Sequence, residues 1–160
     1  MEAVIDRLCV VHQADAQYDN LIYLRRNGFN KDNTVLVAPD AGAAKKVYDV
    51  AKACGFDKVL VCHKRRDLTH GNIIDTMIPL EGSVDYNFVV IDDILDGGRT
   101  FIELGPLLKS YTSGKLVLSV THGIFSKGID VFENACYDKI LVANMMNKEL
   151  KNSEHKLLKG

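Results

Sequence analysis

Short apolar runs alternate with amphipathic segments along the chain, and this alternation predicts the elements of the fold. The apolar runs predict strands at 34–38, 58–62, 88–91, 116–121 and 139–143. The amphipathic segments predict helices at 16–26, 43–54 and 100–109, with a short helix within 125–134. Runs without polar alternation are typical of strands buried on both faces, as in a parallel sheet. The pattern therefore predicts an α/β fold whose mainly parallel sheet is flanked by helices.

Two segments depart from this alternation. Residues 63–86 lack periodic apolar positions and carry clustered charge, so we predict a flap or hairpin insertion at about 63–87 that is mobile without ligand. Pro106 lies inside the predicted helix 100–109, where proline removes a backbone N–H. A kink or an early break of that helix is therefore expected.

Composition narrows the class of protein. With 160 residues, 47% hydrophobic and 26% charged, the chain is predicted to form a single domain over residues 1–160. A formal net charge of −1 gives no reason to expect nucleic acid as a partner, and no apolar run approaches the length of a membrane span. The widely spaced cysteines favour buried free thiols over disulfides or zinc: Cys9, Cys54, Cys62 and Cys136. A cytoplasmic enzyme or binding domain is expected.

The stretch VVIDDILDGGRT, residues 89–100, carries the most chemistry. A surface turn is one interpretation, because aspartate and glycine are good turn formers. However, the stretch joins a buried strand to a helix start, where free N–H groups and the helix dipole favour an anion. Its glycines and Thr100 suit a phosphate, whereas Asp92 and Asp93 suit sugar hydroxyls or Mg²⁺. We expect a phosphorylated sugar here, and we expect Gly98→Val to disrupt the loop while leaving the core intact.

Three further motifs follow predicted strands: VAPDAGAAKK, CHKRRD and THGIFSKG. Because parallel strands bring their carboxyl ends to one edge of a sheet, these motifs should converge with DDILDGGRT on one crevice. Asp40 either helps to cradle a phosphate near a metal or caps a helix, and its motif alone favours the cap. The HKRRD cluster is either a solvated turn or a flap that presents Lys64 and Arg66 together. His12 and His122 suit structural or hydrogen-bonding roles, and His70 suits a solvated position.

In order and spacing, the four motifs resemble the C-terminal half of ribose-phosphate pyrophosphokinase, also called phosphoribosyl-pyrophosphate synthetase. The similarity runs from about Asp19 to Asn144, and related phosphoribosyltransferases do not share the THGIFS stretch. The resemblance implies a phosphoribosyltransferase-like, Rossmann-like domain with a flap insertion. It also implies the reaction: the anomeric hydroxyl of ribose 5-phosphate attacks the β-phosphorus of ATP, giving phosphoribosyl pyrophosphate and AMP.

The resemblance assigns residues to each part of such a site. By position in the motifs, Lys64 and Arg66 resemble the catalytic pair of the flap. Asp92 and Asp93 resemble the ribose-binding carboxylates. The loop that holds the 5-phosphate corresponds to Asp96, Gly97, Gly98, Arg99 and Thr100. The pyrophosphate loop corresponds to Asp40, Ala41, Gly42 and Ala43, with Asp40 close to Mg²⁺. Such enzymes form homo-oligomers, so a homo-oligomer is expected here.

Two departures from the family pattern matter. Gly97 stands where the family usually has threonine, and Arg99 adds a guanidinium, which indicates either tighter phosphate binding or a larger 5-phosphoribosyl acceptor. The family's N-terminal half, with its adenine contacts and catalytic histidine, is absent, so we expect a half or a truncated form. The alternatives are a phosphoribosyltransferase that consumes phosphoribosyl pyrophosphate, and a non-catalytic regulatory partner of the synthetase.

Overall fold

The computed structural model describes residues 17–71, 73–80, 82–151 and 155–158. Within them the strands are β1 (Thr34–Ala38), β2 (Val59–Val61), β3 (His63–Arg66), β4 (Ile73–Met77), β5 (Asn87–Leu95), β6 (Leu116–Gly123) and β7 (Lys139–Met145). The helices are α1 (17–26), α2 (Ala44–Cys54) and α3 (Arg99–Lys109), with single 3-10 turns at Ala41–Ala43 and Asp130–Phe132. Cys9, His12 and Ala16, on which predictions were made, lie outside the described residues.

Five strands form one sheet in the order β2-β1-β5-β6-β7, and every neighbouring pair is parallel. The predicted mainly parallel α/β fold is therefore confirmed. The centre of the sheet is the unbroken apolar run of β5, in which Phe88, Val89, Val90 and Ile91 are fully buried. Such a run has no solvated face because helices cover both sides of the sheet.

The two faces of the sheet have separate cores, because successive side chains of a strand point to opposite faces. Val89 and Ile91 pack with Leu21 and Leu24 of α1 and with Val47 of α2. Phe88 and Val90 of the same strand pack on the opposite face. There they meet Leu104 and Leu108 of α3, together with Phe132. This arrangement fixes α1 and α2 on one side of β5 and α3 on the other.

The predicted helix ends are confirmed where a glycine supplies the cap. Gly55 follows α2 in the left-handed conformation with φ 76°, and its N–H donates to Ala51. Gly28 has φ 92° just after α1. Glycine adopts these angles without the steric cost that other residues meet, so both helices end where the sequence indicates.

Two elements, β5 and α3, end later than predicted. β5 continues four residues beyond its apolar run, to Leu95, paired with β6 through Ile94↔His122 and Leu95↔Gly123. The backbone ladder does not depend on side-chain polarity, so Asp92 and Asp93 lie inside the strand rather than after it. The predicted early break of the third helix is wrong, because α3 runs through Pro106 to Lys109. Buried Leu108 anchors this last turn in the core.

The predicted flap is an antiparallel hairpin of β3 and β4, and the register shifts between Arg65 and Arg66. Its mobility without ligand stays a prediction. The helix predicted within 125–134 is a single 3-10 turn, Asp130–Phe132. In the described part of the chain, no helix has both the length and the apolar character needed to cross a membrane.

Candidate active site at the carboxyl edge of the sheet

The predicted site residues meet at one edge of the sheet. Asp40 follows β1, Lys64 lies just after β2, and Asp96 follows β5, so all three stand at carboxyl ends of parallel strands. The ammonium nitrogen of Lys64 lies 3.5 Å from Oδ2 of Asp40. Asp92, near the end of β5, lies within the electrostatic influence of both groups. The convergence predicted from the motifs is confirmed.

The loop after β1 is closed by its own aspartate. Asp40 is extended, with φ −155° and ψ 174°, and its Oδ1 accepts a hydrogen bond from the N–H of Ala43 at 3.0 Å. A side chain at Gly42 would begin 3.2 Å from that oxygen, so the residue there must be small. The capping role favoured by this motif is therefore confirmed. Oδ2 remains on the side of Lys64.

The adjacent carboxylates of β5 have different surroundings. Asp93 pairs through Oδ2 with Lys46 of α2, while its Oδ1 is buried and has no hydrogen-bond partner among the described residues. Asp92 receives a hydrogen bond from the N–H of Asp93 at 2.8 Å. Burial raises the pKa of the Asp92 carboxyl, Lys46 and Lys64 act to lower it, and Asp40 acts to raise it. The two carboxylates are therefore not equivalent.

The loop after β5 leaves the start of α3 without a side-chain cap. Gly98 occupies the N-cap position with φ 81°, and its carbonyl accepts the N–H of Ile102 at 2.8 Å. The N–H groups of the first turn of a helix have no partners within the helix. This geometry fits the predicted phosphate loop over Asp96, Gly97, Gly98, Arg99 and Thr100.

Gly98 also packs against the core. A Cβ atom at this position would overlap the ring of Phe132, which is fully buried. The expectation that Gly98→Val leaves the core intact is therefore wrong. Gly97 differs, because a Cβ there would lie 3.7 Å from the Cε of Lys127, an ordinary contact distance. Gly97 is thus the position at which the loop can be changed without disturbing the core.

Two cations lie near this loop, and only one was singled out from the sequence. Arg99 is 89% exposed and pairs with Glu103 one turn along α3, at 3.1 Å. The side chain of Lys127 lies over Gly97, although Lys127 was given no role in the THGIFSKG motif. Its only sequence signal is a positive charge in a motif that follows a strand end.

The catalytic pair expected on the flap is divided. Lys64 pairs with Asp40, whereas Arg66 donates from Nη1 to the carbonyl of Gly71 at 3.1 Å. The register shift between Arg65 and Arg66 interrupts the strand alternation that was expected to align Lys64 with Arg66. Only Lys64 reaches the edge of the sheet in this conformation.

Lys46 and Gln17 were missed by the sequence analysis. Gln17 is buried and donates from Nε2 to the carbonyl of Asp92 at 3.1 Å and to the hydroxyl of Thr121 at 3.3 Å. It therefore ties α1 to the two central strands beside the carboxylates. A polar residue on a helix gives no signal of a partner that is 75 positions away in sequence.

Other predicted residues have structural surroundings. His122 shares a 3.1 Å hydrogen bond with Asn144, and His70 is exposed beside Asp67. Cys54 and Cys62 are buried free thiols, as expected, and burial raises the pKa of Cys62 to about 11. Cys136 is free but exposed, contrary to the expectation of burial.

The carboxylate of Asp40 has suitable chemistry for the expected Mg²⁺. Proteins often bind this ion through one or two carboxylates together with phosphate oxygens of the substrate. Oδ1 is used in the helix cap, while Oδ2 stands 3.5 Å from Lys64, longer than a hydrogen bond. Oδ2 is therefore a carboxylate oxygen outside the helix cap, of the kind that Mg²⁺ binds.

Known proteins resemble this chain in sequence and in fold. No family model matches the chain. Ribose-phosphate pyrophosphokinase 5 of Schizosaccharomyces pombe is 33% identical over 139 residues, covering 81% of this chain and 39% of the relative. The chain thus spans about two fifths of the length of that relative.

Solved structures show the same fold at low sequence identity. Phosphoribosylpyrophosphate synthetase from Mycobacterium smegmatis superposes with a TM-score of 0.70 at 18% identity, over 90% of this chain and 45% of that one. The APRTase of Giardia lamblia, complexed with 9-deazaadenine, gives a TM-score of 0.64 at 13% identity, over 84% and 80% of the two chains.

The sheet order, the hairpin after β2 and the loop after β5 thus define a phosphoribosyltransferase-type domain. Within that class, the sequence match is to the ribose-phosphate pyrophosphokinases, a family of enzymes, and this chain belongs with them over part of their length. The resemblance stated from the motifs is confirmed.

Proposed function

We propose that this chain carries the ribose 5-phosphate site of a ribose-phosphate pyrophosphokinase. The observation that carries the proposal is the meeting of three features at one sheet edge. These are the uncapped loop after β5, the half-buried carboxylate of Asp92, and the Lys64–Asp40 pair. A phosphate, a sugar and a transferred phosphoryl group each require one of them.

The 5-phosphate binds to the loop at residues 96–100. The free N–H groups at the start of α3 and the helix dipole attract an anion. Lys127 adds positive charge, since its side chain lies over Gly97. Gly97 leaves room for this lysine, so a cation replaces the threonine hydroxyl that the family usually has there. Arg99 remains with Glu103 on the exposed side of α3.

The ribose hydroxyls bind to the carboxylates of β5. An ionised carboxylate accepts hydrogen bonds from sugar hydroxyls, and Asp92 is already held in place by Gln17 and by the N–H of Asp93. We propose that the sugar extends from Asp92 to the phosphate loop, with its anomeric hydroxyl toward Asp40 and Lys64.

Lys64 stabilises the transferred diphosphoryl group. Phosphoryl transfer depends mainly on positioning and on positive charge near the moving oxygens. Lys64 leaves Asp40 for these oxygens, and Arg66 joins it when the hairpin rearranges around ATP. Oδ2 of Asp40 would hold Mg²⁺, which would supply positive charge to the phosphate oxygens. The pyrophosphate loop is the segment Asp40, Ala41, Gly42 and Ala43. The hydrogen bond from Ala43 to Asp40 holds this loop in its present conformation.

The chain spans 39% of the length of the S. pombe relative. The family's N-terminal half supplies its adenine contacts, so the proposal for residues 1–160 concerns the ribose 5-phosphate site. We propose a homo-oligomer that acts in the cytoplasm on ATP and ribose 5-phosphate. The other interpretations are a phosphoribosyltransferase, an enzyme with a larger 5-phosphoribosyl acceptor, and a regulatory partner of the synthetase.

Two measurements test the proposal. Calorimetry with ribose 5-phosphate should show binding by the wild-type chain, and Asp92→Asn should abolish most of it while remaining folded. Incubation with ATP, Mg²⁺ and ribose 5-phosphate should release AMP. Pyrophosphate release from phosphoribosyl pyrophosphate and a purine base would instead show a transferase. Binding without AMP release would show that the chain needs the remaining part of the enzyme.

A further inference from the structure

The side-chain pair Lys46–Asp93 lies beside the site, on the face of β5 that packs against α1 and α2. Asp93 follows Ile91 on the side of the sheet that packs against α1 and α2. Lys46 extends from α2 to Oδ2 of Asp93, and both residues line a cavity of about 560 Å³ between these elements. Only 32% of the lysine side chain and 35% of the aspartate side chain are exposed.

The burial of Asp93 makes its partner important. Oδ1 is buried and accepts no hydrogen bond from any described residue, so Lys46 is the group that balances this carboxylate. A partly buried carboxylate without a cation destabilises the fold, because it loses hydration and forms no ion pair to compensate. Asp49 and Lys45 line the same cavity, and Lys45 is exposed.

The sheet edge carries more negative than fixed positive charge. Asp40, Asp92, Asp93 and Asp96 stand there, and every substrate of the proposed reaction is itself an anion. Lys64 is expected to leave Asp40 for the transferred group, so it cannot balance the carboxylates during the reaction. Lys46 is fixed on α2, so it can balance the carboxylates during the reaction. The same helix begins at the Asp40 loop, which links the pyrophosphate loop to the ribose carboxylates.

We propose that Lys46 is a positioning residue that holds Asp93 and offsets its charge, so that the edge of the sheet accepts an anionic sugar phosphate. This inference rests on the proposed function and deepens it. Lys46 touches no reacting atom; it acts through Asp93. The sequence gives no sign of this role, since Lys45 and Lys46 are adjacent and chemically identical.

The experiment compares these two lysines. Lys46→Met keeps most of the aliphatic chain and removes the charge, and Lys45→Met makes the same change one position away. Ribose 5-phosphate affinity by calorimetry should fall about three- to thirtyfold in Lys46→Met, the range expected for coupled neighbours. It should change less than about twofold in Lys45→Met, as for an exposed charge. Lys46→Arg should restore most of the affinity.

A second variant separates positioning from structure. In an Asp93→Asn background the carboxylate that pairs with Lys46 is gone, so Lys46→Met should then cost less affinity than it does beside Asp93. This double variant also avoids an unpaired buried charge, which keeps the test open if Lys46→Met alone does not fold. Thermal melting of each variant shows whether the affinity change follows a loss of folded protein.

The outcomes are distinct. A loss confined to Lys46→Met, reversed by arginine and suppressed by Asp93→Asn, supports the inference. Equal losses in both methionine variants would reflect net charge alone and would overturn it. Normal affinity in folded Lys46→Met would overturn it while leaving the proposed function intact. A wild-type chain that binds no ribose 5-phosphate would overturn the proposed function and this inference together.

Discussion

Two strand–loop–helix units of this domain follow the same plan but start their helices differently. After β1, the Asp40 side chain caps its own loop by accepting the N–H of Ala43. After β5, Gly98 stands at the N-cap in the left-handed conformation and α3 has no side-chain cap. We call residues 39–43 the capped loop and residues 96–98 the open loop. The first satisfies a backbone N–H with its own side chain, whereas the second gives the start of α3 no side-chain cap.

The difference follows from the residue at one position in each loop. Aspartate is among the best N-cap residues, since its carboxylate accepts the free N–H groups of the first turn. Glycine has no side chain to do so, but it allows the backbone to turn and to approach another group closely. At Gly98 that group is the ring of Phe132. The open loop is therefore held by packing, and the capped loop by a hydrogen bond.

The largest expected effect is the loss of stability in Gly98→Val. Valine at this position meets the Phe132 ring and must adopt φ 81°, a conformation in which L-residues are strained. Overpacking costs about 1–3 kcal/mol and the backbone strain about 1–2 kcal/mol, so unfolding in urea should require roughly 2–5 kcal/mol less.

Gly97→Ala is the matched control for that variant, because its Cβ meets Lys127 at an ordinary contact distance of 3.7 Å. Its free energy of unfolding should stay within about 0.5 kcal/mol of wild type. Equal stability of Gly98→Val and Gly97→Ala would contradict the view that packing holds the open loop.

The next effect concerns the capped loop. Asp40→Ala removes the hydrogen bond to Ala43 and should lower the free energy of unfolding by about 1 kcal/mol. Asp40→Asn keeps a capping oxygen and should retain most of that stability, yet it loses the negative charge proposed to hold Mg²⁺. Urea titrations of both variants measure the cap. If alanine and asparagine are equally destabilising, the cap hydrogen bond is not what stabilises this loop.

A smaller effect is expected from the cation beside the open loop. Lys127→Met should weaken ribose 5-phosphate binding about two- to fivefold, since an exposed charge pair contributes roughly 0.2–1 kcal/mol. The loss should shrink at high salt, where exposed charges are screened. Lys148→Met, an exposed lysine elsewhere in the chain, is the control. Calorimetry at two salt concentrations that gives the same affinity for Lys127→Met and wild type would exclude a role for Lys127.

The smallest effect is a pH-dependent gain in stability of the variant Asp92→Asn over the wild type. Burial raises the pKa of Asp92 above its value in the unfolded chain, so the folded state holds the proton more tightly. Stability is therefore lost as pH rises from the unfolded value of about 3.9 through the raised folded value. Asp92→Asn should melt higher than wild type at pH 7, and this advantage should disappear under acid conditions below both values. A lower melting temperature at pH 7 would contradict this sign.

Much of the fold could be predicted because its signals are local. Strands without polar alternation indicated a parallel sheet, and Gly28 and Gly55 indicated helix ends. The end of β5 was misplaced because Asp92, Ile94 and Leu95 stay paired with β6, which a polarity pattern does not report. The course of α3 through Pro106 was missed for a related reason, since tertiary packing of Leu108 outweighs one lost hydrogen bond.

The candidate site was predictable only in part. Parallel strands have their carboxyl ends at the same edge of a sheet, and this rule correctly predicted that Asp40, Lys64 and Asp96 share one edge. The rule depends on strand direction alone. It could not place the side chains. The alternation expected to align Lys64 with Arg66 fails at a bulge, and a bulge is a property of the pairing with β4.

By itself, the sequence determined the class of fold, the position of the motifs at the carboxyl ends of the strands, and the similarity to ribose-phosphate pyrophosphokinases. These depend on periodicity, strand direction and motif spacing, all of which are read along one chain. Only the tertiary structure decided which charges pair. It joined Lys46 to Asp93, laid Lys127 over Gly97 and set Gly98 against Phe132. Such contacts join residues far apart in sequence, and their energies depend on burial and distance, which exist only in the folded chain.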